Sequence, residues 1–232
     1  MHARKPFGVI FGRFVLAASI VVAALAPAAA GVQTAPAFER LENTWAGLTD
    51  YSMTIDAHEV LGDQTADSEL RYAFKRPNQA RLDVLKGLKS GSTMVLDGVD
   101  RVIGYYRRLS LFKTHGGAQD KNLTSLRGNG ILNPNLGEIV SCFGAHREEL
   151  RQAEGPDVDG QLTDEISLPY EHVECSSDSS TDRGTITLDV LDISRDTGLV
   201  MERKRYAGSE AVETWMLSDY KLNSGLTDSD LR

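Results

Sequence analysis

The chain has 232 residues, with 25 Lys+Arg against 33 Asp+Glu and a formal charge of −8. An acidic chain lacks the basic groups that displace counterions from nucleic acid, and it has little electrostatic attraction for anionic lipid heads. The length suits one sizeable domain, or at most two small ones.

The first 30 residues have the pattern of a secretory leader. Arg4, Lys5 and Arg13 precede an apolar run over residues 14–26, and Pro27 and Ala28-Ala29-Ala30 then form a cleavage site. That run is shorter than the roughly 20 residues a spanning helix needs. Cleavage is therefore expected, with residues 31–232 forming a single domain outside the cytoplasm. The leader removes three basic residues and no acidic one, which takes the formal charge of the remainder to −11. No cysteine sits just after the cut, so a lipid-modified N-terminus is not expected.

A short amphipathic helix comes first. Phe38, Leu41, Trp45 and Leu48 recur at helical spacing between charged residues. The period then changes to two. Tyr51, Met53, Ile55 and Ala57 alternate with polar residues, as do Leu70, Tyr72 and Phe74, and then Leu82 and Val84. Turns at Gly62-Asp63 and Pro77-Asn78 join these strands, and two further strands are predicted over residues 93–97 and 101–107. This is an antiparallel meander. Alternation fades over residues 109–131, where a long connection is predicted. Asn133-Pro134 has the form of an N-cap followed by proline, opening a helix with Leu136, Ile139, Val140 and Phe143 on one face. Strands are predicted to resume after Gly155-Pro156. Residues 170–175 are one candidate, and Ile186, Leu188 and Val190 alternate in the next. Asp196-Thr197-Gly198 and Gly208-Ser209 turn the chain into two last strands. The tail from Asn223 is polar and expected to be loose.

Cys142 and Cys175 are the only cysteines. In an oxidising compartment the pair reads as a disulfide, worth roughly 3–4 kcal/mol for a loop of about 34 residues. Two unpaired thiols are the alternative. Their spacing matches no zinc or redox motif.

The sequence carries no recognisable catalytic motif. His58, His146 and His172 lie near carboxylates and His115 does not, and none of the four makes H-E-x-x-H or a one-turn histidine pair. No phosphate loop or nucleophile elbow is present. No catalytic residue, metal site or cofactor is therefore expected. The apolar surface is the stronger feature. A curved antiparallel sheet with two helices on its concave face accommodates both meanders and both helical stripes. Met53, Ile55, Leu70, Tyr72, Phe74, Leu82, Val84, Ile186, Leu188, Val190, Met201, Val212 and Met216 are predicted to share that face. Two short helices cover a large sheet poorly, and an incompletely filled concave face suits an acyl chain.

Three stretches resemble the LolA-like superfamily, which includes the periplasmic lipoprotein carrier. They are Tyr72-Ala73-Phe74-Lys75-Arg76-Pro77-Asn78-Gln79-Ala80-Arg81-Leu82, then residues 193–200 (Ile193-Ser194-Arg195-Asp196-Thr197-Gly198-Leu199-Val200), and the closing Asp219-Tyr220-Lys221-Leu222-Asn223-Ser224-Gly225-Leu226-Thr227-Asp228. The resemblance implies an α+β, mainly β fold: an unclosed antiparallel half-barrel with helices lidding a hydrophobic concave face. It implies a soluble, monomeric, non-catalytic periplasmic carrier or chaperone for acyl chains of lipoproteins or other lipids, meeting an inner- or outer-membrane partner protein. Arg81 is the closest match to the basic residue that latches the family's lid. A half-barrel regulator of envelope stress and a hydrolase are the alternative readings.

Overall fold

The computed structural model describes residues 35–98, 101–106, 113–118, 120–169 and 186–232. The expected leader, the expected strand at residues 170–175 and Cys175 lie outside these residues. Among the described residues, eleven strands make one antiparallel sheet: β1 (Asp50–Leu61), β2 (Gln64–Lys75), β3 (Gln79–Lys86), β4 (Ser92–Asp97), β5 (Val102–Tyr106), β6 (Lys113–Gly116), β7 (Arg151–Val158), β8 (Gln161–Pro169), β9 (Leu188–Ser194), β10 (Val200–Ala207) and β11 (Glu210–Leu222). The spatial order is β6-β5-β4-β3-β2-β1-β11-β10-β9-β8-β7, so the first and last strands of the chain sit side by side and the two ends stay open. The ladders slip between Ser52 and Thr54, Glu69 and Leu70, Glu154 and Asp157, Val200 and Glu202, and Arg205 and Tyr206. Each slip bends its strand. The result is the unclosed half-barrel that the resemblance implied.

Helices α1 (Pro36–Ala46) and α2 (Leu136–Ala145) carry the apolar stripes that the concave face buries. Phe38, Leu41, Leu136, Ile139 and Phe143 are buried against Tyr51, Met53 and Tyr72 of the sheet, with the Phe38 and Phe143 rings stacked at 6.3 Å. Each such side chain contributes roughly 1.5–3 kcal/mol by leaving water. The start of α2 differs from the expectation. Asn135 is the cap, its side chain accepting from the Gly137 amide at 2.7 Å, while Asn133 accepts from the Gly130 amide at 2.8 Å and closes the preceding turn. Two asparagines flank Pro134, and the second does the capping.

Two other expectations are corrected. Strand β7 runs through Gly155-Pro156 instead of starting after them. It is an edge strand with a bulge at that point, where proline is tolerated. The tail is docked on the convex face, with Leu231 only 3% exposed. The Asp50 carboxylate anchors its start by accepting from the Ser224 and Gly225 amides at 2.8 and 3.2 Å. Burial alone would raise the Asp50 pKa, but these hydrogen bonds outweigh it and hold the carboxyl below its ordinary value.

Asp192 stands on the convex face and is buried beside Lys204 (3.3 Å) and Glu202. Burial pushes its pKa up to about 6, against the pull of Lys204, and Glu202 and Glu165 add to the rise. The folded chain thus holds this proton up to about pH 6, whereas the unfolded chain releases it near 3.8. Between those values the native state binds more protons, so this group's contribution to stability falls as pH rises. Urea unfolding at intervals from pH 3.5 to 7 should show that Asp192→Asn removes roughly 3 kcal/mol of that fall. Parallel curves for the two proteins would refute the assignment.

Candidate functional site

The concave face has an apolar half and a charged half. Alternation in β1, β2 and β3 turns Ile55, Leu70, Leu82 and Val84 inward, where they line a cavity of about 60 Å³ together with Met94, Leu126 and Trp215. Met53, Tyr72 and Phe74 continue the same face beneath α1 and α2, and Ile186 and Val212 belong to the same core. Leu88, 60% exposed, stands at the cavity's edge beside Lys89. The Lys89 ammonium donates to the carbonyls of Asn122 and Thr124 (3.1 and 2.7 Å) and so ties the β3–β4 turn to the segment that crosses the cavity.

The other predicted lining residues stand elsewhere. Residues opposite one another in a ladder share a face. Val190 is opposite Lys204, Leu188 is opposite Tyr206, and Met216 is opposite both Asp56 and Glu202. All three point away from the concave side. Met201 falls in the bulge between Val200 and Glu202, outside the concave core. The inward positions in these strands are Asp189, Leu191 and Ile193 in β9, Arg203 and Arg205 in β10, and Glu213, Trp215 and Leu217 in β11. Arg81 lies on the convex face, where its guanidinium donates to Asp83 at 3.1–3.2 Å and to the carbonyl of Arg232. It touches neither helix.

Other side chains fasten the helices. Arg76 donates to the carbonyls of Leu48 (2.6 Å) and Trp45 (2.7 Å) at the end of α1 and stacks 4.1 Å from the Trp45 ring. This is a cation placed at the negative end of a helix. Arg147 pairs with Glu42 at 2.5 Å, joining the segment after α2 to α1, and Arg40 of α1 pairs with Asp164 of β8. The Tyr51 hydroxyl accepts from the Leu136 amide at 2.9 Å and holds the first turn of α2 to the sheet. None of these contacts is marked by sequence pattern, except that Arg76 lies inside the first resemblance motif.

The charged half is closed by residues 124–134. Asp189 receives the fork of Arg203 at 3.0 and 2.6 Å, and Arg205 approaches it at 3.4 Å. Glu59 and Glu213 are buried on the neighbouring strands, and the Asn129 amide donates to both, at 2.7 and 2.6 Å. Burial raises the Glu213 pKa, with Glu59 adding to the rise and Arg205 opposing it. Among the described residues no group of histidine, cysteine and carboxylate side chains is arranged to hold a metal. The His58–Asp67 and His146–Glu149 pairs are surface contacts at 2.7 and 3.2 Å, and His172 lies outside the described residues.

No protein-family model matches the chain, and neither does any curated protein. Solved structures do. An uncharacterized conserved protein from Thermus thermophilus is 11% identical over 84% of this chain and 90% of its own, with a TM-score of 0.52. A LolA superfamily protein from Nitrosomonas europaea is 11% identical over 86% and 97%, at 0.42. The lipoprotein LppX of Mycobacterium tuberculosis is 14% identical over 83% and 96%, at 0.44. The likeness to the Thermus protein shows a shared fold and nothing about cargo, and the other two fall short of that level. No helix among the described residues is long and apolar enough to cross a membrane.

Proposed function

We propose that this protein is a periplasmic, non-catalytic carrier that takes an acyl chain onto the concave face of its half-barrel, after removal of residues 1–30. The observation that carries this reading is the mode of closure. The apolar half of the face is covered by two short helices and one irregular segment, held at the rim by Arg76, Arg147, Arg40 and Lys89 and inside by Tyr51 and Asn129. Fastening through side chains permits opening without loss of the strand ladders. The cavity of about 60 Å³ is well below the roughly 300–1,000 Å³ of ligand pockets, so uptake of a chain requires the covers to move. Ile55, Leu70, Leu82 and Val84 are the proposed first contacts, with Met53, Tyr72 and Phe74 reached as the helices lift. Each methylene buried contributes about 0.8 kcal/mol. We further propose a Cys142–Cys175 bridge, which would tie α2 to the segment after β8.

Native mass spectrometry and solvent extraction of the full chain, exported and purified from the periplasm, should show bound lipid, and the stripped protein should take up a fluorescent acyl probe. Arg76→Ala should release that probe at least fivefold faster while lowering stability by about 1–2 kcal/mol, the scale of exposed charge-assisted hydrogen bonds and cation–π contact. A protein that carries no lipid and takes up no probe would refute the proposal.

A further inference from the structure

Hydrogen bonds from the covering segment close the charged end of the concave face. The covering segment presents four hydrogen-bond donations to the two glutamates of the sheet. The Asn129 side chain donates to Glu59 Oε1 and to Glu213 Oε2 at 2.7 and 2.6 Å, the Ser125 hydroxyl donates to Glu59 Oε1 at 2.5 Å, and the Arg127 backbone amide donates to Glu59 Oε2 at 3.2 Å. In return the Asn129 side-chain carbonyl accepts from Arg205 at 3.3 Å and the Asn133 carbonyl from Arg203 at 3.2 Å. Both guanidiniums already face Asp189. Glu59 and Asn129 also line the apolar cavity, so the polar end and the greasy end are continuous.

We infer that the ligand of this cavity is an amphiphile whose head group donates hydrogen bonds and carries no negative charge: an amide, hydroxyl or ammonium head on a hydrocarbon chain. The inference rests on the acyl-binding reading above and goes on to name the head. A ligand that enters as the segment lifts must satisfy what the segment satisfied, because a buried carboxylate left without donors is costly. When the segment lifts, Glu59 and Glu213 lose the donors it supplied, whereas Arg203 and Arg205 keep Asp189 opposite them. A fatty carboxylate or an alkyl phosphate would bring acceptors to two acidic side chains that need donors.

Competition against the fluorescent acyl probe tests this on the full chain with three heads on one dodecyl chain: N-dodecylacetamide, dodecylamine and laurate, at pH 7 and below micelle concentrations. The acetamide and the amine should displace the probe at concentrations at least tenfold lower than laurate. In Glu59→Gln the laurate value should come within threefold of the acetamide. Laurate competing as well as the other two in the native protein would overturn the inference while leaving acyl binding intact, as would an unchanged ratio in a folded Glu59→Gln. If that variant does not fold, the ranking in the native protein decides. Absence of any displacement would overturn the acyl-binding reading itself, and this inference with it.

Discussion

Asp189→Asn should lower stability by about 3–5 kcal/mol, the scale seen when one partner of a buried ion pair is removed. The Asp189 side chain is wholly shielded from solvent, and that of Arg203 is 4% exposed. The carboxylate answers both prongs of the Arg203 fork and the flank of Arg205. An asparagine fills the same space, so packing is not the cause. The loss comes from two guanidiniums left in the interior with one fewer negative charge. Replacing both partners, as Asp189→Leu with Arg203→Met, removes the uncompensated charge and leaves Arg205 facing Glu213 (3.8 Å). The double variant should therefore recover at least half of the loss, although it gives up the bond to the Asn133 carbonyl and the Arg203–Trp215 contact at 5.7 Å. Urea unfolding at pH 7 measures both. A double variant no more stable than the single one would mean that the pair's value lies in its geometry and not in charge balance.

That buried pair also explains which parts of the site could be read beforehand. Over residues 51–57, 70–74 and 80–84 the inward positions are apolar and the outward ones mostly polar, so period-two alternation identifies the face directly: Met53 and Ile55, Leu70, Tyr72 and Phe74, Leu82 and Val84. In β9 to β11 both faces are mixed, with Leu191, Ile193, Trp215 and Leu217 inward beside charged residues. Asp189, Arg203, Arg205 and Glu213 point inward, while Val190 and Met216 point outward. A reading that sends apolar residues inward is then out of step by one position, which moves every side chain of the strand to the other face. The sequence of β10, with Glu202 to Arg205 all charged, carries no alternation to correct it. Arg81 stands away from the helices for a related reason. It sits between inward Ala80 and Leu82, so the pleat turns it to the convex side, whereas Arg76 lies at the strand's end where the chain passes under α1. The helices were legible because their stripes are uninterrupted. The docked tail was not, because its anchor, Asp50, is distant in sequence and gives no periodic signal.

Gly198→Ala should cost about 3 kcal/mol or more, and Gly208→Ala only about 1–2 kcal/mol, although the two glycines have nearly the same backbone conformation. Their φ values are +68° and +64°, a region where an L-residue with a Cβ loses roughly 1–2 kcal/mol. They differ in what a Cβ would meet. At Gly208, in the β10–β11 turn, nothing lies within 4 Å. At Gly198, in the β9–β10 turn, the new atom would sit 2.6 Å from the Thr44 hydroxyl and 2.9 Å from the Arg40 carbonyl. The hydroxyl belongs to a side chain that can rotate, at the loss of its 2.9 Å bond to the Thr197 carbonyl. The carbonyl is helix backbone and yields only if α1 moves as a body. Lifting α1 strains the Arg40–Asp164 and Glu42–Arg147 pairs and the Phe38–Phe143 stack together. Hydrogen exchange should therefore quicken along α1 in Gly198→Ala and stay native-like in Gly208→Ala, with the central strands protected in both. Equal losses in the two variants would mean that α1 is not pressed against this turn, and the helix would then have one fastening fewer than its contacts indicate.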